Sequence, residues 1–217
     1  MPILYIICEG QTEETFIKEV LAPHFISLSK PLYLIPILLG GHVDIQVILL
    51  KVRNLLANRD AYCTTLFDFY GLPNKFPGKQ DATDRRLIQD KAGCVTRAMQ
   101  EHARPKLGEQ GVRHFIPYLQ MYEFEGLLFS DPEGFANSIA RRDLAQHFID
   151  IRAQFPTPED INDSTETAPS KRILGCMRDY EKPIHGNIAM LDLGLAPIRR
   201  ECKLFNEWVM QLEILAQ

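Results

Sequence analysis

No two of the five cysteines (Cys8, Cys63, Cys94, Cys176, Cys202) form a C-x-x-C pair, and their number is odd. That spacing argues against a disulfide framework and a thiolate zinc site, and reduced thiols in a cytosolic protein are the natural reading. Long hydrophobic runs are missing too. The run Ile3–Cys8 stops at Glu9 with no basic residue ahead of it. It is too short for a signal peptide or membrane span, and no other uncharged run approaches ~18 residues. The sequence therefore predicts a soluble, cytoplasmic chain with no membrane partner. Positive charge is not in excess: 24 Lys and Arg against 28 Asp and Glu give a net charge of −4. A histone-like or purely electrostatic nucleic-acid coat is excluded, though a local basic groove is not. There is no Gly-rich loop with a following Lys-Ser/Thr, no G-x-S-x-G and no H-E-x-x-H. P-loop chemistry and those two hydrolase classes go with them.

What is present is an ordinary globular composition, 46% hydrophobic and 24% charged over 217 residues. The length suits one large domain, or a domain with an appendage. Ile3–Cys8 reads as a strand buried on both faces of a parallel sheet. Glu9-Gly10 ends it, Thr12 stands at an N-cap position, and Phe16, Ile17, Val20 and Leu21 give a helical stripe with Pro23 near its end. Leu32–Leu39 predicts a second strand, Gly40-Gly41 a turn, and Val43–Leu56 a helix. Tyr62–Phe67 predicts a third strand closed by Asp68, and residues 71–78 a loop rich in Gly and Pro. A mixed-charge helix over 84–104 and a fourth strand over His114–Met121 follow. Beyond Asp131 the strand signal fades, and a helix runs from about Pro197 to Leu215. This alternation predicts a three-layer α/β sandwich with a mainly parallel sheet over 1–130, and a helical C-terminal extension over 131–217 packed on it.

Open parallel sheets bind ligands at the carboxyl ends of their strands. Acidic residues fall there repeatedly: Glu9 after the first strand, Asp68 after the third, Glu123 and Glu125 after the fourth, with Glu13 one turn into the first helix. Two carboxylates about 4 Å apart repel by roughly 4 kcal/mol at an effective dielectric near 20. Four or five at one rim are affordable only if they spread apart, protonate or surround a cation. Oxygen ligands without supporting Cys or His select a hard ion, Mg²⁺ or Mn²⁺. Each residue also has a plainer reading. Glu13 and Glu14 suit a helix N-terminus, Asp68 suits a turn, and Glu123 and Glu125 suit solvent. The last two share a face only if their segment is extended. Ser170-Lys171-Arg172 after Ala168-Pro169 could open a helix and hold a phosphate, or be a solvated helix start. The pairs Arg85-Arg86, Arg141-Arg142 and Arg199-Arg200 could line a nucleic-acid channel.

A strand ending in Glu-Gly, a helix opening with Thr-Glu and a later strand ending in Asp resemble the Toprim fold of topoisomerases, primases and the OLD-family (overcoming lysogenization defect) nucleases, a Rossmann-like architecture. The longer strings resemble a bacterial domain-of-unknown-function family, numbered four-two-seven-six. They include residues 7–14 (Ile-Cys-Glu-Gly-Gln-Thr-Glu-Glu), 65–73 (Thr-Leu-Phe-Asp-Phe-Tyr-Gly-Leu-Pro), 122–129 (Tyr-Glu-Phe-Glu-Gly-Leu-Leu-Phe), 166–172, Tyr180-Glu181-Lys182 with His185-Gly186, and Arg199–Trp208. The resemblance implies a Mg²⁺- or Mn²⁺-dependent nuclease or phosphodiester hydrolase acting on DNA or RNA. Glu9 and Glu13 match the glutamates of the first motif, Asp68 the first aspartate of Asp-x-Asp, and Glu123 or Glu125 the later acidic ligand. Lys171 or Lys182 matches a downstream lysine that steadies charge on the phosphate. Tyr70 stands where the second aspartate of the motif would be. A small-nucleotide phosphohydrolase would differ only in substrate. The rival expectation is a non-catalytic, Toprim-derived module that docks nucleic acid or an ABC-like ATPase, such as accompanies similar proteins in anti-phage systems. A homo-oligomer is a further expectation.

Overall fold

The apolar run at the N-terminus forms strand β1 (Ile3–Cys8), the boundaries that the sequence predicts. The structure, a computed structural model, describes residues 2–40, 43–57, 60–162, 164 and 166–216. Side chains of β1 alternate between two apolar layers: Leu4, Ile6 and Cys8 enter one core, Ile7 the other. Strand β2 (Tyr33–Leu38) lies parallel on one side of β1 and β3 (Ala61–Asp68) parallel on the other. Two short strands, β4 (Phe115–Ile116) and β5 (Leu119–Gln120), both pair parallel with β3. The sheet order β2-β1-β3-β4 puts β1 and β3 innermost, so the residues leaving their carboxyl ends meet at one rim.

Helices α1 (Gln11–Phe16) and α2 (Ala22–Ile26), joined by a π-helical turn (Ile17–Leu21), supply the first core with Phe16, Ile17, Leu21 and Phe25. Helices α3 (Ile45–Leu55) and α5 (Ile88–Arg113) cover the opposite face, with the short α4 (Lys79–Thr83) before α5. The rest of the chain is helical: a 3₁₀ segment (Phe124–Ser130), α6 (Pro132–Ser138), α7 (Ala145–Arg152), α8 (Pro169–Cys176), a second π-helical turn (Lys182–Gly186), α9 (Asn187–Leu193), α10 (Leu195–Glu201) and α11 (Lys203–Ile214). Phe135, Phe148, Ile173, Phe205 and Trp208 from this part share the first core with Leu4 and Ile6. Trp208 stacks on Tyr118 with ring centroids 4.4 Å apart, and its indole N–H donates to Thr64 Oγ1 at 2.9 Å. The C-terminal helices are thus pinned to the sheet itself.

Several elements depart from expectation for identifiable reasons. Gly10, not Thr12, caps α1: its backbone is extended, and its N–H donates to Glu13 Oε2 at 3.1 Å. Pro23 does not end the helix. The π turn shifts the register ahead of it, so Pro23 sits in the first turn of α2, where no amide is needed. The fourth strand is split at Pro117, which has no N–H for the ladder, and Thr65 Oγ1 both donates to Tyr118 O and accepts from Tyr118 N. The mixed-charge helix starts later and runs further than 84–104, kinked at Gly108 (φ +69°). The terminal helix is two, broken at Cys202, where the buried Glu159 carboxylate accepts the Leu204 and Phe205 amides at 2.9 Å each. Gly40 turns with φ +67°, and the expected Gly41 falls outside the described residues.

Candidate active site

Glu9 is the first residue beyond β1, and its carboxylate reaches across to the neighbouring strand, where Oε1 accepts the Asp68 N–H at 2.8 Å. Gly71 closes over the same carboxylate. A Cβ there would stand 2.6 and 2.7 Å from its two oxygens, so any larger residue would displace the carboxylate from this position. Glu13 folds back from α1 toward the rim. Asp68 ends β3. The chain then leaves β5 through Tyr122, whose φ of +59° is unusual for a bulky residue. That turn swings the 3₁₀ segment inward and buries Glu125.

The ammonium of Lys182, at the start of the second π turn, completes the cluster. Its Nζ lies 3.1 Å from Glu13 Oε1, 3.3 Å from Glu125 Oε2 and 3.4 Å from Asp68 Oδ2. Carboxylates from α1, β3 and the 3₁₀ segment therefore converge on one point. Burial holds the Asp68 carboxyl well above the usual carboxylate range, Glu13, Glu9 and Glu125 add to the rise, and Lys182 opposes it. Glu9 and Glu125 are raised for the same leading reason. Burial works against the charge of Lys182, but Asp68, Glu125 and Glu13 outweigh it and its pKa rises.

Lys79 is a cation the sequence reading missed. Buried beneath the loop after β3, it donates to the carbonyls of Phe69 and Leu72 and lies 4.2 Å from the Phe69 ring centroid. Burial lowers its pKa to about 8, and Glu9 resists that fall. The sequence signal was a Gly-Lys step at the end of the Gly/Pro loop that follows Asp68. Glu9, Glu13, Asp68 and Glu125 outnumber the two cations Lys182 and Lys79 at this rim, and burial raises the Glu9, Asp68 and Glu125 carboxyls.

The other expected residues go elsewhere. Glu123 and Glu125 diverge, because only Glu123 is extended: Glu123 Oε2 accepts the Ser170 N–H of α8 at 2.8 Å, while Glu125 turns to Lys182. Ser170 is the second residue of α8 rather than its cap, and its amide is taken by this carboxylate instead of a phosphate. Arg172 Nε donates to Thr167 O at 2.8 Å and its guanidinium lies over Phe155, both contacts within the chain's own fold. Lys171 is exposed, and it is not among the groups ion-paired to the cluster. Arg199 is tied to Glu213 and Asn206, and Arg141 to Asp143, so these arginines are held by internal partners. Tyr70, at the place of a second aspartate, packs its ring against Phe69 and Tyr122.

The sequence model of a family described as Domain of unknown function (DUF4276) matches residues 8–213, nearly the whole chain. The chain belongs to this family. No curated protein and no solved structure matches it. Every residue of the cluster lies within the matched span, and the architecture is α/β with a parallel sheet. Among the described residues no helix is long and apolar enough to cross a membrane.

Among the described residues no three His, Cys, Asp or Glu side chains already stand as a metal-holding group. With Lys182 seated, its ammonium takes the centre. The chemistry of the donors fits Mg²⁺ or Mn²⁺ nonetheless: oxygen only, with three carboxylates converging on one point.

Proposed function

We propose that this chain is a Toprim-like, Mg²⁺- or Mn²⁺-dependent phosphodiester hydrolase acting on DNA or RNA. The observation that carries the reading is the convergence of Glu13, Asp68 and Glu125 on the Lys182 ammonium, with Glu9 bound to the Asp68 amide beside them. Glu13, Asp68 and Glu125 would hold the ion, with Glu9 beside them, and Glu123, bound to α8, would support from behind. A bound Mg²⁺ or Mn²⁺ would supply Lewis acidity at the scissile phosphodiester. An ion held by these carboxylates would take the place of the Lys182 ammonium, and Lys182 would then offset charge on the phosphoryl oxygens. Lys182 takes this role in preference to Lys171, whose exposed place on α8 suits at most an outer phosphate contact, and to Arg172, which is held by Thr167 and Phe155. Glu9 Oε1 is committed to the Asp68 amide, which leaves Oε2 to accept a proton from the attacking water. Burial raises the Glu9 pKa above the ordinary carboxylate value, which makes it a stronger base.

A second reading is favoured by Lys182 itself. An ammonium that already neutralises part of the cluster suits a non-catalytic module that docks nucleic acid or an ATPase, alone or as a homo-oligomer. Incubation of purified protein with single- and double-stranded DNA and RNA, with Mg²⁺, Mn²⁺ or EDTA, separates the two. The hydrolase reading requires cleavage that needs metal and is lost in Glu9→Gln with the fold intact. Equal cleavage by Glu9→Gln, or none by the unaltered protein, overturns it.

A further inference from the structure

Tyr180 stands beside the cluster with its ring buried, and its hydroxyl has no hydrogen-bond partner among the described residues. A buried hydroxyl left unpaired costs about 1–3 kcal/mol, so this donor has its hydrogen bond to give to a ligand. The hydroxyl is directed at the π turn that carries Lys182. A Cβ on Gly186 would stand 3.0 Å from Tyr180 Oη and 3.8 Å from Lys182 Cγ, so the glycine lets the hydroxyl pack against this turn beside the lysine stem. The ring is braced by His185, stacked at 5.8 Å, whose Nδ1 accepts the Glu181 N–H at 2.9 Å. The position of the hydroxyl oxygen is therefore set before any ligand binds.

We propose that Tyr180 is a further catalytic residue of this site, donating its hydroxyl hydrogen bond to a phosphoryl oxygen of a phosphate ester bound at the carboxylate–lysine cluster. The proposal rests on the hydrolase reading. Three charged groups bear on the hydroxyl, Glu125, Lys182 and Glu123. Burial first, and the two carboxylates after it, raise its pKa, so the group keeps its proton and acts as a donor, not a base. A phosphate approaching four carboxylates is repelled unless donors face it. Lys182 supplies one and Tyr180 a second, neutral one that adds no charge to be balanced when the site is empty.

Tyr180→Phe removes only the donor. The unaltered and substituted proteins are compared by melting temperature in Mg²⁺ buffer, with and without inorganic phosphate, and by cleavage kinetics on DNA and RNA. Without phosphate, Tyr180→Phe is expected to melt at or above the unaltered protein, because no internal bond is lost. The rise in melting temperature on adding phosphate is expected to fall by at least half, and kcat by roughly 10–100-fold, the order found for a single lost transition-state donor. An equal phosphate-induced rise in both proteins, no rise in either, a lower melting temperature without phosphate, or unchanged kcat overturns the assignment. Absence of cleavage by the unaltered protein overturns the hydrolase reading instead, and the phosphate comparison still decides on Tyr180.

Discussion

Lys182→Met removes the one positive charge from the centre of three carboxylates while keeping most of the side chain's volume. Each of its contacts, at 3.1 to 3.4 Å, is worth about 5 kcal/mol at an effective dielectric near 20. Most of that is offset by desolvation of the four groups, and breaking a buried ion pair by deleting one partner typically costs about 3–5 kcal/mol. The loss has a definite pH dependence. Asp68, Glu9 and Glu125 have folded pKa values raised above their unfolded ones, so the native state holds protons that the unfolded chain releases. Stability at these groups therefore falls as pH rises through the window above the ordinary carboxylate range. Lys182 opposes each rise, and its removal deepens the fall. The difference between the two proteins should be smallest at the acid end of this window and grow to about 3–5 kcal/mol as pH rises and the raised carboxyls of Asp68, Glu9 and Glu125 lose their protons. For a chain of this size that is roughly 10 °C in melting temperature. Scanning calorimetry across that range, with and without Mn²⁺, is the assay. Mn²⁺ should restore more stability to Lys182→Met than it adds to the unaltered protein, since the competitor is gone. A gap that is flat with pH, or that Mn²⁺ leaves untouched, refutes the reasoning.

Gly71→Ala should lower the melting temperature by a few degrees and cut metal-dependent cleavage at least tenfold, because the new methyl group must push the Glu9 carboxylate off the Asp68 amide; unchanged activity would contradict the role given to Glu9. Glu159→Ala should cost about 3 kcal/mol in chemical denaturation, leaving the Leu204 and Phe205 amides unpaired at the start of α11. Burial raises the Glu159 pKa to about 7, so native protein protonates it where unfolded chain does not, and stability falls with rising pH up to that value. Glu159→Gln should flatten that part of the pH profile.

The carboxyl ends of the strands were legible because an uninterrupted apolar run that stops on an acid marks both a buried strand and its exit, as at Cys8-Glu9 and Phe67-Asp68. Glu125 could not be told from Glu123 by spacing. What separates them is the backbone of Tyr122 and the extended conformation of Glu123, and neither has a sequence signature. Lys182 reaches Asp68 from 114 residues away, through a Pro-Gly segment whose pattern gives no direction, so it stood level with Lys171 until the fold separated them. Glu159 sits in a Pro-Glu-Asp turn that reads as solvated surface, yet it is almost wholly buried as a helix cap. Long-range polar partners of this kind are set by tertiary packing, which leaves no periodicity behind.

The most direct test of the cluster as a cation site is an anomalous difference map from crystals soaked in Mn²⁺, beside the same map for Asp68→Asn. The account predicts a single strong peak at coordination distance from Asp68 and Glu125 with the Lys182 ammonium moved away, and its loss in the variant. A map without a peak, and Lys182 still seated among Glu13, Asp68 and Glu125, would contradict it.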